Sequence, residues 1–341
     1  MLEKSLDYYI ELFQNFKVDT AGLAKNGFVA PHQPILALSL IQAFERRLCT
    51  DEKIYLTPEL VDIFTTNWSL LVNYGSYHPL IAQPFYHIKS KINKKEVRWW
   101  RLIPNPGCEI WIENAGSMHS FRNLSNAVDY AEIDLELAVI LTIKENRESL
   151  RKAILQKYFP DGAGVDLKTA GEYFDQISNE IVNEDPAAYI ANIRQLKERM
   201  SADNKQRELF QQEIYIRSGA FKRDVPKYYN YTCCLSGLKV DATINVSMID
   251  ACHIVPFSKS YNDTITNGIA LCPNLHRAFD RGLIAVDDNL QVIVSDRFVE
   301  STNTIYSIKR LAGVSIFLPN ESRFQPSVEN FAWHRKHTFK P

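Results

Sequence analysis

The sequence predicts an α+β protein of two domains joined by a helical connector, and three observations carry that reading. The chain has 341 residues, more than one ordinary domain needs. Residues 1–165 mix helical periodicity with short aromatic-rich segments that suit strands. Residues 166–215 are charged and poor in aromatics, and they separate that first part from residues 216–341, where short apolar segments alternate with polar loops and helical spacing.

In chain order, Leu2, Leu6, Tyr9, Ile10 and Phe13 recur at helical spacing and predict a first helix over 2–16. Residues 25–34 are loop-like, with Gly27, Pro31 and Pro34. Residues 35–48 read as an apolar, buried helix. Thr57-Pro58-Glu59 is a helix start: a capping hydroxyl, proline at the first position and an acid in the first turn. Leu60, Ile63, Phe64, Trp68 and Leu71 follow on one face. Residues 74–84 are irregular. Residues 85–88, 98–103 and 109–113 are strand candidates, and 130–159 reads as helix up to the breaker Pro160-Asp161-Gly162. Asp185-Pro186 interrupts the helical stretch 166–216, which suits either a spacer or a dimerising segment.

Composition sets limits on function. With 45% hydrophobic and 23% charged residues the chain can bury a core without covalent staples. A net charge of -1 argues against a general nucleic-acid coat, yet basic residues concentrate locally: Arg217, Lys222, Arg223, Lys227 and Lys239 stand against one acid, Asp224. The bland alternative is a solvated charged face. The six cysteines are scattered and show no disulfide framework. The N-terminus lacks a signal-peptide pattern and no apolar run could span a membrane, so a cytoplasmic protein is expected.

The chemistry concentrates in residues 250–283. His253 precedes the apolar pair Ile254-Val255, Asn267 follows a polar loop, and a helix beginning near Pro273 carries His276 and Asp280. The order is strand, loop, strand, helix. His276 and Asp280, four apart, project from one helix face, as two ligands of one ion would.

This stretch resembles the HNH nuclease superfamily, whose fold is two strands and a helix around a metal, through His253, Asn267 and His276. The flanks resemble its restriction-endonuclease branch. They comprise an aromatic lead-in from Tyr229 ending in Cys233-Cys-Leu-Ser-Gly237, an acid at Asp250, the segment Asn267-Gly268 to Leu271, His276 to Gly282 with Phe279-Asp280, then Leu318-Pro319 and Trp333-His334. The resemblance implies a metal-dependent deoxyribonuclease acting on double-stranded DNA. His253 would be the general base, Asn267 would hold the loop and orient the His253 ring, and His276 would ligate the metal. Asp280, Asp250 and Cys252 are further candidate ligands. Carboxylates suit Mg2+ or Mn2+, the ions expected, better than a thiolate does. Alternatives stay open: Asp280 could instead pair with Arg277 or Arg281, and Cys252 could be a small buried hydrophobe. Many relatives bind a structural zinc with two Cys-x-x-Cys pairs. Here Cys233 and Cys234 are adjacent and Cys272 is followed by Leu275 at the second position, so no structural zinc is expected.

The first domain is the candidate for target choice. Its His32-Gln33-Pro34 and Tyr77-His78-Pro79 segments resemble the sulfur-recognising domains attached to some HNH restriction enzymes, which bind phosphorothioate-modified DNA. That resemblance implies DNA contacts by His32, Gln33, Tyr77, His78 and Pro79, joined by Arg217, Lys222 and Arg223 at the start of the nuclease part. The alternative is that His32 and the prolines form a plain turn into a helix. The function expected is therefore restriction of foreign, including modified, DNA, with possible homodimerisation. A nicking enzyme of a mobile element and an inactive DNA-binding regulator are the rivals.

Overall fold

A computed structural model describes residues 4–20, 29–74, 77–113, 116, 118, 120–162, 164–165, 167, 171–240, 247–301 and 306–341. Parts of the expected loops at 25–34 and 74–84, and the start of the expected connector at 166 and 168–170, lie outside the described residues. The chain forms two compact units, Met1–Phe174 with Arg199–Ile216, and Asp175–Glu198 with Arg217–Pro341. The helical stretch expected as a connector thus contributes to both.

The first unit begins with α1 (Leu6–Gln14), capped by the Ser5 hydroxyl, which accepts from the Tyr8 amide, and burying Tyr9, Leu12 and Phe13. Helix α2 (His32–Glu45) is buried from Pro34 through Phe44, as its all-round apolar sequence requires. After the short strand β1 (Lys53–Ile54), helix α3 (Pro58–Leu71) starts on the expected cap, with Thr57 Oγ1 accepting from the Leu60 amide at 3.2 Å. Inside this pair Asn67 Nδ2 donates to Ser39 Oγ at 3.1 Å and to Gln42 Oε1 at 2.6 Å, while its Oδ1 is buried without a hydrogen-bond partner.

Three elements differ from expectation. Residues 85–88, read as a strand, lie largely in helix α4 (Ala82–His87), where Pro84 costs nothing because the first helical turn leaves its N–H groups unbonded anyway. The hairpin β2 (Ser90–Ile92) and β3 (Lys95–Val97) and strand β4 (Trp100–Pro104) follow. Residues Glu109–Glu113, also read as a strand, form a one-turn helix, α5, after a turn at Gly107. Its alternation reflected no sheet face, since Ile110 is 80% exposed and Trp111 56%. After α6 (Phe121–Ala127), the start of the expected helix 130–159 is instead strand β5 (Val128–Ile133), the centre of a β1-β5-β4 antiparallel sheet. Val128, Ala131 and Ile133 are buried there and Asp129 is exposed, a sheet pattern that ends at Asp134. The helical part is α7 (Leu135–Thr142) and α8 (Lys144–Tyr158).

Helices α9 (Glu172–Asn183), α10 (Pro186–Arg199) and α11 (Asn204–Tyr228) make up the helical stretch. In the second unit, β6 (Asp250–His253) pairs antiparallel with β7 (Gly268–Leu271), which is buried throughout, and α13 (Pro273–Asp280) follows; the short α12 (Phe257–Ser260) lies in the loop between the strands. A β8 (Ile284–Val286) and β9 (Val292–Val294) hairpin and the terminal helix α14 (Val328–His337) complete it. Gly268 is there for space: a Cβ would lie 2.6 Å from Val225 Cγ2 and 3.0 Å from the Phe221 ring, both on α11. His334 of α14 is buried, stacks on Phe279 of α13 at 3.7 Å and bonds its carbonyl through Nε2 at 3.1 Å. His334 therefore buttresses the α13 helix that carries His276. Burial pushes the His334 imidazole down to about 4, because a charged ring would lose its hydration there. Among the described residues, no helix is long and apolar enough to cross a membrane.

Candidate active site

Strand β6 divides the chemistry between its two faces. Alternation sends Asp250 and Cys252 to one side and His253 to the other. On the first side they meet α13. Asp250 Oδ2 lies 3.2 Å from His276 Nδ1, and His276 Nε2 lies 3.5 Å from Asp280 Oδ2, across one helical turn. Cys252 Sγ lies 3.9 Å from Asp280 Oδ1. One donor atom from each of Cys252, His276 and Asp280 falls within 4.8 Å of the others. A thiol, an imidazole and a carboxylate with Asp250 beside them make a donor set that fits one divalent cation. Cys252 is fully buried and burial holds its thiol well above the ordinary range, so without a cation it stays neutral. The carboxylates of Asp250 and Asp280 are open to solvent, which leaves a side from which a phosphate could approach.

On the other side, His253 is held differently. Its Nε2 is 2.7 Å from Oδ1 of Asp263, a carboxylate with no solvent exposure. Its ring lies flat on Phe221 of α11, with centroids 3.9 Å apart and planes 6° apart. The ring is 21% exposed. Asn267, fully buried, ties both ends of the intervening loop: Nδ2 donates to the carbonyls of Val255 and Asn262, each at 2.9 Å, and Oδ1 accepts from the Val255 amide at 2.9 Å. An amide is the side chain that can do this, because it donates twice and accepts at once. Asn267 thus ties the loop ends together, but its hydrogen bonds do not reach the His253 ring, which touches Asp263 and Phe221 instead. The sequence reading missed both. Asp263 was visible as one acid in a polar loop, and Phe221 as one aromatic on a charged helix, so neither carried a signal of its own.

The basic residues expected at DNA have varied settings. Arg217 is buried, pairs with Glu180 at 2.7 Å and lies over the Tyr189 ring. Arg223 bonds Asp224 at 2.9 Å and Ser178. Both are engaged within the second unit, whereas Lys222 is exposed.

In the first unit, His32 Nε2 donates to the His78 carbonyl at 3.0 Å, and its ring meets Trp68 at 4.7 Å and Tyr77 at 5.8 Å, both edge-on. Burial lowers this imidazole to about 4. Gln212 clamps the next residues, donating to the Pro79 carbonyl at 2.8 Å and accepting from the Ile81 amide at 2.9 Å. His32, Tyr77, His78 and Pro79 are therefore one cluster. Gln33 is not part of it: its amide bonds the Lys17 carbonyl at 3.0 Å and the Lys89 amide at 3.2 Å.

Residues 233–287 match the family model for HNH endonucleases. Among solved structures, one titled "Modification dependent TagI restriction endonuclease" is similar at 20% identity with a TM-score of 0.26, over 34% of this chain and 36% of that one. The chain thus covers about a third of that relative. No curated protein matches it.

Proposed function

From the HNH endonuclease domain at residues 233–287, we propose that this protein is a metal-dependent endonuclease that hydrolyses phosphodiester bonds in double-stranded DNA and restricts foreign DNA. The observation that carries the reading is the division of labour along β6: a partly exposed imidazole held by a carboxylate on one face, and a converging thiol, imidazole and carboxylate on the other. Cys252, His276 and Asp280, with Asp250 beside them, would hold the cation, Mg2+ or Mn2+ being the first ions to try. When bound, such an ion supplies positive charge that polarises the scissile phosphate and steadies the leaving oxygen.

The protein's own part follows from His253. With Nε2 given to Asp263, Nδ1 is the nitrogen left to accept a proton from water. The oxygen of that water attacks phosphorus, the bond from phosphorus to the leaving sugar oxygen breaks, and that oxygen is protonated from solvent while the imidazolium returns its proton there. Asn267 keeps the 254–267 loop from drifting during this exchange. Incubating the full-length protein with supercoiled plasmid and Mg2+ or Mn2+ tests the reading. Linear product supports a double-strand cut, made by a homodimer or by successive nicks. Nicked circles alone would favour the nicking enzyme, and uncut plasmid with intact DNA binding would favour the regulator.

We further propose that the His32–Tyr77–Pro79 cluster contributes to target choice. The support is its aromatic and prolyl character around an imidazole that stays neutral at physiological pH. A neutral, weakly hydrated surface suits a phosphorothioate sulfur, which is softer and less solvated than oxygen. Digestion of plain, methylated and phosphorothioated duplexes side by side tests this, and equal cleavage of all three would remove it.

A further inference from the structure

A neutral imidazole has one N–H and one lone pair, and a general base works only with the lone pair toward the water. Something must therefore choose the tautomer of His253. An ionised carboxylate can accept but not donate. Asp263 presents a carboxyl oxygen 2.7 Å from Nε2 and is itself 0% exposed. Its second oxygen, Oδ2, has no hydrogen-bond partner, so the fold does not use this acid to bind backbone or to cap a turn. A buried carboxylate with one hydrogen-bond partner is costly to keep, which ties its placement to that partner. The main chain on either side is fixed: Asn262 Oδ1 accepts from the Thr264 amide at 2.9 Å, and Asn267 holds the Asn262 carbonyl. The flat contact with Phe221 prevents the ring from swinging out of line.

We infer that Asp263 is a positioning residue of the nuclease reaction, holding His253 in the Nε2–H tautomer so that Nδ1 is the base. This rests on the reading of His253 as that base. Asp263 touches neither DNA nor metal in this scheme and acts through the ring alone. The arrangement puts the preorganisation in a buried second group, on a loop pinned at both ends.

The test uses the full-length protein with nitrogen-15 in its histidine rings, at pH 8, together with duplex cleavage in Mn2+. In the wild type, the His253 signals, identified by their loss in His253→Ala, should show hydrogen on Nε2 and a bare Nδ1. Asp263→Asn keeps the shape but can turn an N–H toward Nε2. It should therefore shift the ring toward the Nδ1–H form and lower kcat by about 10²-fold or more, the scale of losing a positioned base. KM for DNA and Mn2+ affinity should stay within about twofold, a split that general loss of structure would not give. Hydrogen on Nδ1 in the wild type would overturn the inference without any variant having to fold. So would Asp263→Asn cutting at the wild-type rate while His253→Ala does not, an outcome that leaves the base itself standing. Cleavage by His253→Ala at the wild-type rate would instead remove the base, and the inference with it.

Discussion

His253 and His32 are two of the histidines on which the functional reading leans, and their surroundings differ in kind. His253 faces a carboxylate at 2.7 Å, lies flat on a phenyl ring and keeps part of its edge in solvent. His32 faces a backbone carbonyl at 3.0 Å, is enclosed by Trp68 and Tyr77, and is pushed down to about 4 by burial. A carboxylate partner can stabilise the charge that forms on a ring taking up a proton. A carbonyl in an aromatic pocket serves a ring that stays neutral. On the proposed mechanism the first histidine takes up a proton and the second keeps its state, so the effects of removing them should differ in size.

The largest effect is expected at the first. His253→Ala should keep the fold and DNA binding and lose cleavage by at least about 10²-fold, the usual worth of a general base. Single-turnover cleavage of a labelled duplex measures it, and a rate near wild type would end the contrast between the two rings.

The metal face comes next. His276 sits between two carboxylates, so His276→Ala should weaken Mn2+ binding by more than about tenfold, and Asp280→Ala by less, because Asp250 and Cys252 remain. Calorimetry of the two variants checks this order; unchanged affinity in Asp280→Ala would leave the shell to Asp250, Cys252 or water. Cys252→Ser separates the ions themselves. A thiolate favours Zn2+ or Co2+ over Mg2+, so the loss should be large for the former pair and small for Mg2+.

How much of this was legible beforehand follows from where the signal lay. His253, Asn267 and His276 were picked out through their resemblance to the HNH pattern, and His276 with Asp280 through the i, i+4 relation, signals carried by local sequence. The Thr57 cap and the apolar helix after Pro34 were legible for the same reason. Asp263 and Phe221 were not, since each acts by meeting a ring through tertiary packing, and periodicity carries no trace of such a meeting. The strand β5 was taken for helix because its apolar residues abut the apolar run of α7, and the sheet that claims it joins strands distant in sequence. Arg217 looked basic and free in sequence, yet its acidic partner Glu180 lies on α9; Arg223 pairs with its neighbour Asp224 and, at 3.7 Å, with Asp175 of α9.

Acid should expose a further consequence of buried neutral rings. His334 is 2% exposed and its folded-state pKa is about 4, against an ordinary 6.5. Below pH 6.5 the unfolded chain takes up a proton that the folded chain refuses until about pH 4. Stability from this ring is therefore fully present above pH 6.5 and falls away between there and pH 4, by on the order of 3 kcal/mol. Urea denaturation at pH 7.5 and pH 5, for wild type and His334→Gln, measures it. The variant should be less stable at pH 7.5 and lose less on acidification; equal pH dependence would show that other groups set it.

The smallest effect is expected at the His32 cluster, and it sharpens the comparison most. Tyr77 meets the His32 ring edge-on, and Gln212 fixes the adjoining Pro79 carbonyl, so the cluster is held before any ligand arrives. If it reads a sulfur by apolar contact, Tyr77→Ala removes only part of an apolar surface, worth roughly 0.5–1 kcal/mol, or about two- to fivefold in affinity. That loss should fall on phosphorothioated duplex and spare plain duplex, because phosphate contacts elsewhere set the common affinity. The measurement needs a protein that binds without cutting, so both duplexes are titrated with full-length His253→Ala and with the same protein carrying Tyr77→Ala, at one fixed salt concentration. His32→Gln in the same background should lower affinity for both duplexes alike, since the ring supports the whole cluster. A Tyr77→Ala protein that keeps its full preference for the modified duplex would put the sulfur contact elsewhere in the molecule and reduce His32 to a packing residue at the start of α2.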